Sequence, residues 1–160
     1  MASVAEHLVH QLEGAGVRHI YGIVGDSLNP VVDAVRRSKK IRWIHVRHEE
    51  TAAFAAAAEA EITGQLAVCA GSCGPGNLHL INGLYDANRS HLPVLAIASH
   101  IPTSQIGTGF FQETHPDRIF DECSVFSEMI SSSEQVPRVT RSAIQQALSC
   151  LLYTSPSPRD

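Results

Sequence analysis

Two adjacent carboxylates, Glu49 and Glu50, stand where a β-forming run gives way to an alanine-rich one. Ile41, Trp43, Ile44 and Val46 favour a strand, and the stretch from about Thr51 to Ile62 favours a helix. The acids therefore fall at the C-terminal edge of a strand, where open parallel sheets hold their ligands. The wall that follows, Ala52, Ala53, Ala55, Ala56, Ala57 and Ala58, lets another backbone or a flat ligand come close. A carboxylate set against it loses solvation. That placement suits general acid–base chemistry; acids in a first helical turn also simply complement the helix dipole.

A second chemical stretch is Gly71-Ser72-Cys73-Gly74-Pro75-Gly76-Asn77, between an apolar strand and a helix. Its glycines allow a ligand to approach the backbone, and the helix start behind it could take an anion. It is no phosphate-binding P-loop, because no Gly-Lys-Ser/Thr follows, and no dinucleotide fingerprint, because a third glycine is missing after Gly74-x-Gly76. A tight strand-to-helix turn explains it equally well.

His48-Glu49-Glu50 invites a metal reading, but the second histidine of the zinc-protease pattern would fall on Ala52. Cys69, Cys73 and His79 fit no common zinc spacing, and Cys69 belongs to an apolar strand. No metal ligands are expected in this chain. Of nine histidines, His79 and His115 draw notice, because they lie in or beside the candidate loops.

The elements that must position these residues alternate. Helical periodicity covers residues 3–14, with Val4, Leu8 and Leu12 on one face. Strands are expected at His19–Val24, at the run before Glu49, at Leu66–Ala70, at Pro93–Ala98 and at Val125–Ile130. Helices are expected after Pro30, over Thr51–Ile62, through Leu78, Ile81, Leu84 and Tyr85, briefly at Pro116–Glu122, and after Pro137. Residues 99–114, with Gly107, Gly109, Phe110 and Phe111, form a long loop of the kind that is usually functional or mobile. Strand–helix alternation implies an α/β fold: a three-layer α/β/α domain with a mostly parallel sheet.

Composition narrows the class. With 160 residues, 44% hydrophobic, the chain suffices for one domain with a real core. A net charge of −4 argues against nucleic acid as a partner. Four cysteines make no secreted disulfide framework, and a free Cys69 implies a reducing, cytoplasmic setting. The start, MASVAEHLVHQLEG, lacks the apolar core of a signal peptide, and no apolar run approaches a membrane span, so no membrane contact is expected from this chain.

The segments Tyr21–Asn29, Arg47–Ala55, Leu66–Gly83, Pro93–Pro102 and Gly109–Pro116, in that order, resemble the N-terminal, pyrimidine-binding domain of thiamine-diphosphate enzymes acting on 2-oxo acids. Within that family the chain is most similar to bacterial pyruvate dehydrogenases (quinone), the flavin-dependent pyruvate oxidase type. The resemblance covers residues 3–149. It implies that Glu49, not Glu50, hydrogen-bonds the cofactor's pyrimidine and activates it. It also implies that Gly25, Gly74, Pro75, Gly76 and Asn77 line the cofactor, with His79 a weaker candidate for the same pocket. Phe111 and Gln112 would face the substrate, a 2-oxo acid such as pyruvate. Acetolactate synthases and other decarboxylases share this domain, and a non-catalytic α/β binding domain is the reading from another class.

The same resemblance implies a homo-oligomer, with the active site built between subunits. FAD would sit in a central domain, and Mg²⁺ with the diphosphate in a C-terminal one. No Gly-Asp-Gly metal motif occurs here, so the chain is expected to be an inactive fragment of such an enzyme. In the quinone-dependent type, peripheral membrane attachment would come from a further C-terminal segment. Residues 150–160 depart from the pattern. Ser155-Pro156-Ser157-Pro158 cannot continue a central strand, and the tail reads as foreign sequence, a translated sequencing adapter, or as unstructured chain.

Overall fold

The structure, a computed structural model, describes residues 3–149. The reading of 150–160 as a foreign tail concerns residues outside those described. The elements are α1 (Val4–Gly14), β1 (His19–Gly22), α2 (Asn29–Ser38), β2 (Arg42–His45), α3 (Glu49–Thr63) and β3 (Ala67–Gly71). They continue with α4 (Pro75–His79), α5 (Ile81–Arg89), β4 (Val94–Ala98), α6 (Pro116–Ile119) and α7 (Val136–Ser149). The sheet has order β2-β1-β3-β4 and every neighbouring pair is parallel.

Period two along the strands sorts the core. Ile20, Val68, Ala70 and Leu95 join Val9, Leu12, Val35 and Ala147 on the face covered by α1, α2 and α7. Ala67 and Cys69 join Ala53, Ala56, Leu84 and Phe120 on the face covered by α3, α5 and α6. The three-layer α/β/α expectation holds. The alanine wall is explained by α5: a Cβ added at Gly83 would lie 2.5 Å from the Ala53 Cβ and 2.8 Å from the Phe54 nitrogen. The wall thus admits another helix's backbone, and small residues on both sides set the α3–α5 spacing. No helix among the described residues is long and apolar enough to cross a membrane.

Three expectations need correction. Val125–Ile130 is not a strand. It runs without sheet pairing beside a cavity of about 540 Å³, and Val125 is exposed. A strand exists only through its partner, and β4, the edge, pairs with β3 alone. All of Val94–Ala98 line that cavity, and consecutive residues of one strand can share a cavity only along its hydrogen-bonding edge. Second, α3 starts at Glu49 rather than Thr51, because His48 caps it. Third, the helix after the glycine loop is broken at Leu80 into α4 and α5. The anion-binding helix start expected there therefore has little more than one turn behind it.

Candidate functional site

The strand order reverses between β1 and β3: one connection runs outward to β2, the other outward to β4. Crevices at such a switch point, beyond the strand C-termini, are where open α/β sheets bind ligands. The loops converging there are those after β1, β2, β3 and β4.

Glu49 comes from the second of these. His48, in extended backbone, accepts the Glu50 N–H through Nδ1 at 3.3 Å and so starts the helix. The first helical turn then separates the two acids by angle. Glu49 is 8% exposed; Glu50 stays half-exposed and takes an N–H from Asn82 at 3.1 Å. Glu49 Oε2 lies 3.0 Å from Nδ1 of His79, at the end of α4. On its other side the backbone of Gly76 is so near that a Cβ there would stand 3.2 Å from Glu49 Oε1. A buried carboxyl is thus cradled between an imidazole and a bare backbone.

His48 stacks on His79, with ring centroids 4.4 Å apart and planes inclined by 27°. His48, Glu49 and His79 consequently bring possible ligand atoms within 4.8 Å of one another. His48 Nδ1 is engaged by the Glu50 N–H, and His79 Nδ1 by Glu49 Oε2. The arrangement serves a hydrogen-bonded acid. Sequence reasoning weighed His48 only as a metal ligand and missed its pairing with His79, because that neighbour comes from another element and not from the same helix.

A hydroxyl network ties the other loops together. Ser27 Oγ lies 2.9 Å from Ser72 Oγ and 2.7 Å from Ser99 Oγ, and it accepts the Cys73 N–H at 3.0 Å. Ser99 Oγ donates to the Gly71 carbonyl, and the buried Asn77 donates through Nδ2 to the Ser99 carbonyl at 2.7 Å. These serines carried no signal in the sequence, since only the sheet brings positions 27, 72 and 99 together.

The expected residues gather here with differing roles. Gly25 packs on Ser72, where a Cβ would come within 2.4 Å of Oγ. Gly74 has φ +73° and abuts Gln112, so conformation and contact both demand glycine. Pro75 opens α4, and Asn77 locks α4 to the end of β4. Asn77 Oδ1 is buried with no partner among the described residues. Gln112 reaches the site, its Oε1 3.6 Å from the Cys73 Sγ. Phe111 stands clear of it, 80% exposed at a loop tip. His115 lies beside Glu113 and does not reach Glu49's cluster.

Residues 2–120 match the family described as thiamine pyrophosphate enzyme, N-terminal TPP binding domain. The chain belongs to the thiamine pyrophosphate enzyme family. Relatives within it differ in what they are called. An uncharacterized 42.6 kDa protein of Pseudomonas amyloderamosa is 63% identical over 91% of this chain and 37% of its own length. Pyruvate oxidase of Lactiplantibacillus plantarum is 41% identical over 88% of this chain and 23% of its own. The large subunit of acetolactate synthase isozyme 1 of Escherichia coli is 37% identical over 91% of this chain and 26% of its own. The chain therefore spans well under half of the length of these relatives.

A bare backbone at Gly76 facing a buried acid fits the group this family binds. A flat heteroaromatic ring can lie where a Cβ would otherwise stand, and its ring nitrogen can meet a carboxyl that already shares a hydrogen bond.

Proposed function

We infer that this chain is the pyrimidine-binding part of a thiamine-diphosphate-dependent 2-oxo acid oxidase or dehydrogenase, acting on pyruvate, with Glu49 as the activating acid. One observation carries the reading: Glu49 is the buried carboxyl at the sheet's switch-point edge, held between His79 and the Gly76 backbone. When bound, thiamine diphosphate supplies the electron sink for loss of carboxylate from the 2-oxo acid. This chain's residues bind and orient its pyrimidine and move a proton at one atom. Glu49 Oε presents or accepts that proton, and His79 Nδ1 fixes the direction in which the carboxyl points. The glycine loop supplies a surface without side chains, and the serine and Asn77 bonds hold that surface still. Mg²⁺ with the diphosphate, and FAD in an oxidase, would be held by parts of the protein outside residues 3–149, in a homo-oligomer whose sites span two subunits.

The oxidase reading is favoured over acetolactate synthase by the Gly109–Pro116 segment and by the higher identity to the pyruvate oxidase. The test is binding and turnover in the complete enzyme. Gly76→Val, which thrusts a side chain toward Glu49, weakens thiamine-diphosphate binding in a calorimetric titration while the domain stays folded by circular dichroism. Pyruvate drives reduction of an artificial electron acceptor without acetolactate formation. Unchanged cofactor affinity in Gly76→Val, or acetolactate as the main product, overturns the respective half of the reading.

A further inference from the structure

The loop between β4 and α6 carries an acid that no motif singles out. Glu113 turns its carboxylate back into its own loop and takes three backbone N–H groups: Gly107 on Oε1, and Gly109 and Phe110 on Oε2 at 2.8 and 3.2 Å. The Glu113 N–H closes the same turn on the Phe110 carbonyl at 2.9 Å. Successive N–H groups aimed at one point form a concave anion site, and here the chain fills it with its own side chain. Gly107 and Gly109 have φ +85° and +71°, a backbone that turns their N–H groups inward and that side chains rarely adopt.

What this clamp holds is the stretch between its jaws. Phe111 and Gln112 lie between the last donor, Phe110, and the acceptor, Glu113. Gln112 sits at φ +65°, in the left-handed region that a residue with a Cβ avoids. Its Cα, Cβ and carbonyl oxygen press on Gly74, and its Oε1 faces the Cys73 thiol. Residues 106–115 belong to no helix or strand that could hold such a conformation, and the Glu113 carboxylate is the side chain bonded across them.

We propose that Glu113 is a positioning residue, whose carboxylate clamps the 107–113 loop so that Gln112 is presented at the cofactor-side turn for contact with substrate. The part that concerns substrate rests on the thiamine reading; the clamp itself does not. The backbone N–H groups, Gly107 first, together with nearby His115, hold the Glu113 carboxyl below the usual carboxylate range. The clamp is therefore complete above the ordinary carboxylate range and opens only in acid.

The test has two arms. In the chain of residues 1–160, Glu113→Gln keeps the size but loses the charge and one acceptor. Amide exchange at Gly107, Gly109 and Phe110, and iodoacetamide labelling of Cys73 read by peptide mapping, both rise at least fivefold, while β3 amides are unchanged. Wild type reproduces the faster labelling-independent amide exchange in acid, after correction for intrinsic rates, and Glu113→Gln shows no such pH step. In the complete enzyme, Glu113→Gln raises KM for the 2-oxo acid about tenfold and leaves thiamine-diphosphate affinity unaltered, and Glu113→Asp recovers part of the loss. Unaltered exchange and labelling in Glu113→Gln overturns the clamp. A loosened loop with unchanged KM overturns its role toward substrate, and a wild-type enzyme that binds no thiamine diphosphate defeats the underlying reading while leaving the clamp standing.

Discussion

Replacing Glu49 by Gln separates proton chemistry from packing. Gln has nearly the same shape, and its amide oxygen can still accept from His79 at the 3.0 Å position now held by Oε2. The atom facing Gly76 becomes an NH₂ with a backbone Cα in front of it; Oε1 makes no hydrogen bond among the described residues, so no bond is lost and the cost is at most about 1 kcal/mol. The fold therefore survives. Proton transfer does not, because an amide neither presents nor takes up the proton. A positioned acid–base group contributes roughly 10²–10⁴-fold, equivalent to about 3–5 kcal/mol of barrier. The neighbouring control is Glu50→Gln. Glu50 is half-exposed and its Asn82 contact survives the change, so an effect within about 0.5 kcal/mol, or about twofold, is expected. The assay is hydrogen–deuterium exchange at C2 of the bound cofactor in the complete enzyme, quenched in acid and read by proton NMR. Glu49→Gln slows it by at least about a hundredfold. Equal slowing by the two variants, or greater slowing by Glu50→Gln, refutes the assignment, since the burial and the His79 contact would then have nothing to do with the chemistry.

Other expectations follow from packing and charge. Gly83→Ala should destabilise the domain by roughly 1–2 kcal/mol in urea unfolding, although alanine is the better helix former, because the new methyl meets the α3 backbone; a rise in stability refutes the tight α3–α5 contact. Glu6, bonded to the Ser3 N–H and Arg37, has its pKa lowered to about 2. Its contribution is thus present above its ordinary value of 4.5 and lost as pH falls toward about 2; a urea-midpoint profile of Glu6→Gln should be flatter than wild type across that window, and parallel profiles would falsify the link. Burial pushes the Cys69 thiol up to about 12, so alkylation at pH 8 should modify half-buried Cys73 and spare Cys69 in the folded protein; equal labelling contradicts the buried β3. Along β4, the Pro93 carbonyl and Ser99 N–H face β3, so period two turns the Ala96 and Ala98 amides to the open edge. These should exchange faster than those of Leu95 and Ile97, and equal protection would mean that the edge is covered.

Local pattern determined much of this protein. The apolar runs His19–Val24, Leu66–Ala70 and Pro93–Ala98, the first two followed by a helical period, were enough to place parallel strands and layers, because burial on both faces leaves no polar alternation. The glycine loop and the acid pair were legible for a similar reason: a strand end followed at once by glycines or carboxylates is a local fact. Which acid is buried was not legible from the residues themselves. Glu49 and Glu50 are one position apart, and only the rotation of a helix that starts at His48 sends one inward to His79 and leaves the other outside. The stacking of His48 on His79, the bonds among Ser27, Ser72 and Ser99, and the demand for glycine at 83 all join positions far apart in sequence. The failed strand at Val125–Ile130 makes the same point in reverse. Its residues have the right propensity, but strand formation depends on a partner's backbone, and which backbones meet is settled by the packing of the whole sheet.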